Sequence, residues 1–274
     1  MSRVRILSGL ALAPVAIAGV LLLPSPWLAL AAAILILAGL WEWTRLTGLS
    51  DYPPRLAYVT ANALLIAALA WAAGPNLFAL KAATLAGAAW WLLALVWLRR
   101  FEFAQADRGR YRMLKLTAGS FAAVPAWCAL VWLHQLPEHG PRWALFALML
   151  VWAADTGAYF VGSRIGRRKM APQISPNKSW EGFVGGLAGA SLVAVIGVTL
   201  LGLGWSDLPA LVLLTLVAAM MSVAGDLFES LLKRHSGHKD SGRIIPGHGG
   251  MLDRLDSILA ALPVFVVGKL WLGL

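Results

Sequence analysis

The sequence predicts an all-α polytopic membrane protein with about nine transmembrane helices, and three observations support this fold class. Hydrophobic residues make up 59% of the 274 positions, charged residues only 13%, and the mean hydropathy is +0.73. A soluble domain could not cover that much apolar surface. Apolar runs long enough to cross about 30 Å of hydrocarbon as helices recur along the chain. The basic residues collect in every second segment between these runs.

Nine apolar runs define the predicted spans. In chain order they cover residues 5–23, 27–46, 56–73, 76–98, 117–135, 142–163, 182–203, 208–229 and 254–273. Arg3 and Arg5 before the first run are also typical of a signal peptide. That run is long, however, a second follows directly, and no small-residue cleavage site separates the two. We therefore expect a retained first helix, bent at Pro14.

The distribution of positive charge predicts the orientation. With the N-terminus in the cytoplasm, 20 of the 23 lysines and arginines fall in cytoplasmic segments, and only Lys81, Arg142 and Lys269 fall on the other side. The positive-inside rule therefore predicts a cytoplasmic N-terminus and a C-terminus on the opposite side. The net charge of +10 reflects this topology and attraction to anionic lipid head groups, so it requires no nucleic-acid partner.

Polarity divides the chain into two predicted regions. Residues 1–140 form a transmembrane scaffold of about five spans, whose tryptophans fit interfacial belts or helix packing. Residues 141–274 form a catalytic region of about four spans with cytoplasmic loops at 162–181 and 230–253. The single cysteine, Cys128, lies in an apolar span, which excludes a disulfide framework and a cysteine-based zinc site.

Asp155 is the first unusual residue of the catalytic region, since it lies well inside a predicted span. An ionised carboxylate there costs several kcal/mol unless it is paired, metal-bound or hydrated. A hydrogen bond to a neighbouring helix is the structural alternative to a role in a site.

The loop at 162–181 has the composition of an anion site. Ser175, Lys178 and Ser179 supply hydroxyl and ammonium donors just before an apolar run, and Ser179 is a suitable helix N-cap. The positive end of the helix then follows, which suits a phosphate. The basic residues earlier in this loop could equally anchor the preceding helix at the membrane surface.

The segment 226–257 concentrates five carboxylates, five basic residues and three histidines. Four polar residues recur at i, i+3, i+4 and i+7 and so share one stripe of the eighth helix: Asp226, Glu229, Ser230 and Lys233. Asp253 and Asp256 share a face at the start of the ninth helix, beside Arg254. The ends of two helices thus direct carboxylates toward a common point.

Between these helix ends lie Lys239, Asp240 and the run Pro246-Gly-His248-Gly249-Gly250. Glycines let the backbone approach a ligand closely. Acids and bases together suit a site for a metal and a polyphosphate, in which carboxylates hold Mg²⁺ and cations meet phosphate oxygens. The histidines lack an HExxH arrangement and a cysteine partner, which argues against zinc.

These motifs resemble the signature of the phosphatidate cytidylyltransferases, also called CDP-diacylglycerol synthases. The similarity runs from Ser230 through Lys233-Arg234 and Lys239-Asp240 to the PGHGGMLDRLD segment, and the upstream DTGAYFVG and ISPNKSWEG runs are also similar. It covers residues 140–273 by motif and the first half by hydropathy. Asn177 departs from the pattern, because the family usually has a basic residue there.

The resemblance implies that CTP and phosphatidate react to give CDP-diacylglycerol and pyrophosphate, with Mg²⁺ and a second cation such as K⁺. On this basis we expect Asp226 and Asp253 to hold Mg²⁺, with Asp256 and Asp240 as further ligands or orienting groups. The expected phosphate-neutralising residues are Lys233, Arg234, Lys239 and Arg254, with Ser175 and Lys178 closing over one phosphate. Ser179 and Ser230 are also expected to bind substrate or phosphate. His248, Gly249 and Gly250 would shape the nucleotide pocket, and Asp155 would lie near the lipid phosphate.

Two other functions remain open from the residues alone. One is a CTP-dependent polyprenol or phytol kinase, which would use similar acids and lysines. The other is a cation-coupled transporter with Asp155, Asp226 and Asp253 in the ion path. Compactness and the lack of an organelle-targeting segment predict a bacterial inner membrane, with the site facing the cytoplasm. A homodimer is compatible with the sequence, which does not determine the oligomeric state.

Overall fold

The computed structural model describes residues 3–106, 109–242 and 249–274. Within these ranges the chain forms nine α-helices and one β-hairpin. The helices are α1 (Arg3–Leu22), α2 (Ser25–Leu46), α3 (Tyr52–Ala72), α4 (Phe78–Leu98), α5 (Gly109–His134), α6 (Gly140–Ile165), α7 (Trp180–Leu200), α8 (Leu208–His235) and α9 (Leu252–Trp271). The hairpin pairs β1 (Lys169–Ala171) with β2 (Ser175–Ser179) in antiparallel fashion.

The helices have the length and composition of membrane spans. In the part of the chain that the structure describes, seven helices, α2 to α8, are long and apolar enough to cross a bilayer. Large apolar side chains on the outside, such as Trp71 and Phe78, are exposed as on a lipid-facing surface. The prediction of a mostly helical polytopic membrane protein is confirmed, whereas the number of spans and the sides of the two termini stay predictions. Helix α9 is not among these seven helices, and it carries four charged residues near its ends.

An aromatic cluster at the centre of the molecule joins the two predicted regions. The ring of Phe228 in α8 is fully buried. Four tryptophan rings from α2 and α4 surround it at centroid distances between 5.2 and 6.2 Å: Trp43, Trp90, Trp91 and Trp97. Trp43 is stacked on Phe228 and the other three tryptophans meet it edge to face. Both geometries contribute beyond the burial of area. The two predicted regions therefore share one continuous core.

Buried tryptophans also tie helices together through their indole nitrogens. Trp91 Nε1 donates to the Leu259 carbonyl of α9 at 2.9 Å, and Trp127 Nε1 donates to the Ala29 carbonyl of α2 at 2.8 Å. Because buried indole N–H groups need an acceptor, these bonds fix helix positions. The sequence predicted either interfacial belts or helix packing for the tryptophans of the first half, and the buried ones take part in helix packing.

Helices α6 and α7 approach each other more closely than side chains would allow. A Cβ atom added to Gly157 would lie 2.5 Å from the Gly185 carbonyl oxygen. Small residues at such positions let membrane helices pack backbone to backbone. This close contact places the end of α6 directly against the start of α7, where the hairpin joins.

The hairpin is a difference from the all-α prediction, which treated residues 162–181 as a loop. The sequence of β2, SPNKS, has no alternation of apolar and polar residues from which a strand could be predicted. Contacts to the start of α7 hold the hairpin instead. Trp180 N donates to the Arg168 carbonyl at 2.9 Å, and Glu181 accepts from the backbone nitrogen of Arg167 at 3.0 Å.

Candidate active site

A cleft of about 630 Å³ lies where the C-terminal halves of α6 and α8 meet the starts of α7 and α9 and the hairpin. Six of the residues predicted from the sequence line it: Asp155, Lys178, Ser179, Asp226, Asp253 and Asp256. Four of these six are carboxylates from three different helices. The structure thus brings together acidic residues that are up to 101 positions apart in the sequence.

The stripe on α8 has the contacts that its helical spacing predicts. Ser230 Oγ donates to Asp226 Oδ1 at 3.2 Å, and Lys233 Nζ donates to Glu229 Oε2 at 2.7 Å. Both pairs are four residues apart and therefore neighbours on one face of the helix. Asp226 is half-buried and points into the cleft, whereas Glu229 is buried behind it.

Lys233 connects α8 to the start of α9. Its ammonium group contacts Asp253 Oδ1 at 2.8 Å in addition to Glu229. The other oxygen of Asp253 accepts from the backbone nitrogen of Gly250 at 2.8 Å and from that of Ser241 at 3.3 Å. Charge-assisted hydrogen bonds from several directions fix a side chain in one orientation, so the Asp253 carboxylate is held in place at the edge of the cleft.

Asp155 and Asp256 bring two further carboxyl groups to the cleft. Asp155 lies within electrostatic reach of Asp226 and Lys178, and Asp256 lies within reach of Asp226 and Glu229. Like charges at such separations repel one another unless a cation lies between them. The arrangement therefore favours the binding of positive charge among the carboxylates.

The hairpin supplies the opposite charge from the other wall. Lys178 Nζ forms an ion pair with Asp226 Oδ2 at 2.7 Å. Ser179 is the N-cap of α7, and its Oγ accepts from the backbone nitrogen of Gly182 at 3.1 Å. Lys178 and the positive end of α7 thus border the same cleft as the acids, which suits an anionic group such as a phosphate.

Other predicted site residues lie outside the cleft wall. Arg234 donates through Nε to the Ile174 carbonyl at 3.0 Å and so anchors the hairpin turn to α8. Exposed side chains beyond the wall belong to Lys239, Asp240 and Arg254, and Ser175 lies at the start of β2. Gly249 has a positive φ of 86° and Gly250 contacts Asp253. Pro246, Gly247 and His248 fall outside the described residues.

Several residues of the site were not predicted. Tyr159, Lys169 and Ser257 line the cleft, as does Asn177, the position that departs from the family pattern. Glu42 of α2 belongs to the predicted scaffold, yet it accepts hydrogen bonds from Leu252, which precedes Asp253, and from Ser241. Ser257 directly follows Asp256 and could have been found from helical spacing, but nothing in the sequence connects Glu42 with residues about 200 positions away.

The carboxylates are chemically suited to Mg²⁺, which prefers oxygen ligands and is often bound through one or two acids together with substrate phosphates. In the arrangement described, Asp226 and Asp253 each contact a lysine ammonium group. Among the described residues, no three His, Cys, Asp or Glu side chains form a group that could hold a metal ion in this arrangement. The donor chemistry therefore fits Mg²⁺, with Asp226 and Asp253 as the candidate ligands and lysines as their present partners.

The known proteins that this chain resembles are cytidylyltransferases. The sequence model of the cytidylyltransferase family matches residues 3–270. A phosphatidate cytidylyltransferase of Pseudomonas aeruginosa is 44% identical over 272 residues, covering 99% of this chain and 97% of the relative. A phosphatidate cytidylyltransferase of Haemophilus influenzae is 34% identical over 280 residues, with 97% of both chains covered. One of Bacillus subtilis is 45% identical over 135 residues, about half of each chain. With a match over almost its whole length, this chain belongs to the cytidylyltransferase family.

Proposed function

We propose that the protein transfers the cytidylyl group of CTP to phosphatidate, giving CDP-diacylglycerol and pyrophosphate. The names of the full-length relatives support this activity. The structural observation that carries it is the cleft, which combines Asp155, Asp226, Asp253 and Asp256 with Lys178 at one end of a helical membrane protein. Acids that attract cations beside bases that attract phosphates suit a reaction between two phosphate compounds.

The chemistry needs no catalytic base from the protein. The second pKa of a phosphate monoester is about 6, so at neutral pH the lipid phosphate is mostly a dianion and already a nucleophile. One of its oxygens attacks the α-phosphorus of CTP and forms the new P–O bond. The bond from the α-phosphorus to the oxygen that bridges it to the β-phosphorus breaks, and that oxygen leaves with pyrophosphate. The protein must position the two phosphates in line and neutralise charge.

Residues on different walls of the cleft would position the phosphates and neutralise their charge. Lys178 and the start of α7 would hold one phosphate, because they present a cation and the positive end of a helix dipole from the same wall. Lys233 holds Asp253 toward the cleft and reduces the repulsion between that carboxylate and Glu229. Asp155 lies near Asp226 and would border the lipid phosphate.

Asp226 and Asp253 would hold Mg²⁺, with Asp256 as a further ligand or orienting group. When bound, the ion would supply positive charge to the phosphate oxygens and to the departing pyrophosphate. A second cation such as K⁺ would be drawn by the same cluster of acids. Four predicted site residues lie outside the cleft wall: Arg234, Lys239, Asp240 and Arg254. They would contact CTP from the side of the aqueous solution.

The position of the cleft suits one lipid and one soluble substrate. Apolar and aromatic side chains line part of the wall, including Tyr159, Phe183 and Val223. They would accommodate the glycerol end of phosphatidate while its acyl chains stay in the bilayer. The cleft lies at the end of the bundle where the basic segments collect, so in the proposed inner-membrane orientation it faces the cytoplasm, where CTP is dissolved.

The position of a radioactive label tests this function against its alternatives. Purified protein in detergent would receive phosphatidate, Mg²⁺ and CTP labelled with ³²P at the α- or the γ-position. We expect α-label in the lipid product, no γ-label in it, and loss of the reaction when a chelator removes Mg²⁺. In a parallel assay with a polyprenol or phytol in place of phosphatidate, transfer of the γ-label to the alcohol would instead identify a lipid kinase. Ion flux in proteoliposomes without nucleotide, together with no labelled lipid, would identify a transporter.

A further inference from the structure

Glu42 is a buried acid that neither the helix pattern nor the proposed chemistry uses. It lies in α2, within the predicted scaffold, and is 3% exposed. Its Oε2 accepts a hydrogen bond from Ser241 Oγ at 3.1 Å and another from the backbone nitrogen of Leu252 at 2.9 Å. Ser241 belongs to the segment between α8 and α9, Leu252 is the first residue of α9, and both lie about 200 residues further along the chain.

Glu42 therefore bonds one residue within that segment and the residue that directly follows it. Ser241 lies on its N-terminal side and Leu252 is the first residue of α9. Ser241 and Gly250 also donate their backbone nitrogens to the carboxylate of Asp253. Ser241 therefore donates its hydroxyl to Glu42 from the first half of the chain and its backbone nitrogen to Asp253 from the second.

Two glycines pack closely against Glu42. Gly242 and Gly250 lie directly against its carboxylate, and a Cβ atom on either one would collide with a Glu42 oxygen. Within the described residues, Glu42 Oε1 has no hydrogen-bond partner. Burying a carboxylate costs free energy, and the hydrogen bonds of this one come from residues that contact or adjoin Asp253.

We propose that Glu42 is a positioning residue for the reaction in the cleft. By fixing Ser241 and Leu252 it sets the place of Asp253 and, through Asp253, of Lys233. This role depends on the proposed function, since it concerns the groups that would hold the nucleotide and its cation. A helix of the scaffold thereby contributes to the geometry of a site built by α8 and α9.

Glu42→Gln tests the proposal, because glutamine keeps the size of the side chain and removes its charge. We expect its kcat to fall by about tenfold or more, as for loss of a charged hydrogen-bond acceptor. Ser241→Ala should lower kcat less, and the double variant should be little worse than Glu42→Gln alone, since both changes break the same contact. The backbone amides of Gly250 and Leu252 should exchange hydrogen faster in Glu42→Gln.

Thr84→Val is the matched control, because Thr84 is also buried in the predicted scaffold and its hydroxyl donates to the Leu80 carbonyl of its own helix. It should change neither kcat nor amide exchange at residues 250 and 252. Wild-type kcat and wild-type exchange in Glu42→Gln would overturn the proposal. If that variant does not fold, Ser241→Ala decides: a lower kcat at an unchanged Tm supports the proposal, and an unchanged kcat overturns it.

Amide exchange also separates this proposal from the proposed function. If the wild-type protein transferred no α-label to lipid, the cytidylyltransferase activity would fail, and with it the role of Glu42 in that reaction. Faster exchange in Glu42→Gln, with Thr84→Val unchanged, would still show that Glu42 holds the two ends of the segment. Unchanged exchange would remove the structural basis of the proposal, whatever the activity.

Discussion

The ion pair between Lys178 and Asp226 is the most direct contact between the two walls of the cleft. The two side chains are 24% and 32% exposed. Partly exposed ion pairs contribute at most about 1 kcal/mol to stability, so this pair matters chiefly for the charge it places in the cleft. A bound phosphate would compete with Asp226 for the ammonium group, and a bound cation would compete with Lys178 for the carboxylate.

Replacing Lys178 should therefore impair the reaction without unfolding the protein. We expect Lys178→Met to lower kcat/KM by roughly 10- to 100-fold, because a phosphate loses its neutralising cation, while Tm changes little. Lys178→Arg, which keeps the charge, should lose less. Initial rates of labelled lipid formation and thermal unfolding in detergent measure both effects.

Lys81→Met serves as the control, since Lys81 lies over the ring of Trp132 and away from the cleft. It should keep the wild-type rate. A rate for Lys178→Met equal to that of the wild type would remove Lys178 from the site.

Local rules were enough to predict some residues of the site and not others. Asp226 and Ser230 are one helical turn apart, and Ser179 precedes an apolar run, so spacing and capping preferences predicted their geometry. The contact of Glu42 with Ser241 and Leu252 depends on how α2 packs against α9. No pattern within the sequence of α2 specifies that packing.

At the scale of elements, the contact between α6 and α7 positions the hairpin and therefore Lys178. A Cβ atom on Gly185 would lie 2.5 Å from Val161 Cβ and 2.8 Å from the Gly157 carbonyl oxygen. Both neighbours belong to the facing helix, so the two helices would have to separate.

Gly185→Ala should thus destabilise the protein by overpacking, by about 1–3 kcal/mol in the free energy of unfolding. We expect a lower Tm in detergent and a lower rate, since the hairpin would move with α7. In the control Gly19→Ala, the new methyl group would meet only Leu23 Cδ1 at 3.9 Å, an ordinary contact. Equal Tm values for the two variants would contradict the close packing described here.

The helices themselves could be predicted because each long apolar run needs a helix to cross a bilayer. Their ends were less predictable. Helix α5 begins at Gly109, whereas its predicted span began at 117, because the polar RYRMLK turns continue the helix beyond the apolar run. Helix α8 likewise extends past 229 to His235. The hairpin was missed, since its strands depend on contacts to Glu181 and Arg168 and not on a sequence pattern.

At the scale of the whole molecule, the predicted scaffold does more than support a separate catalytic region. Trp43 and Trp91 pack on Phe228 of α8, and Glu42 contacts the start of α9. Every helix that carries a carboxylate of the cleft also packs on a helix of the first half, as α6 does on α5 and α9 on α5 and α4. Charges in the cleft are held in position by a core that extends through the entire bundle.

The central claim is that carboxylates from separate helices meet in one cleft and act together in nucleotidyl transfer. Pyrophosphate release by purified Asp226→Asn and Asp253→Asn tests it most directly. Asp207→Asn is the control, because Asp207 lies at the opposite end of α8, where its carboxylate accepts from the nearby Gly204 nitrogen. We expect both cleft variants to lose at least about a hundredfold in rate with CTP, phosphatidate and Mg²⁺, and Asp207→Asn to keep the wild-type rate. Normal turnover in folded Asp226→Asn and Asp253→Asn would contradict the account.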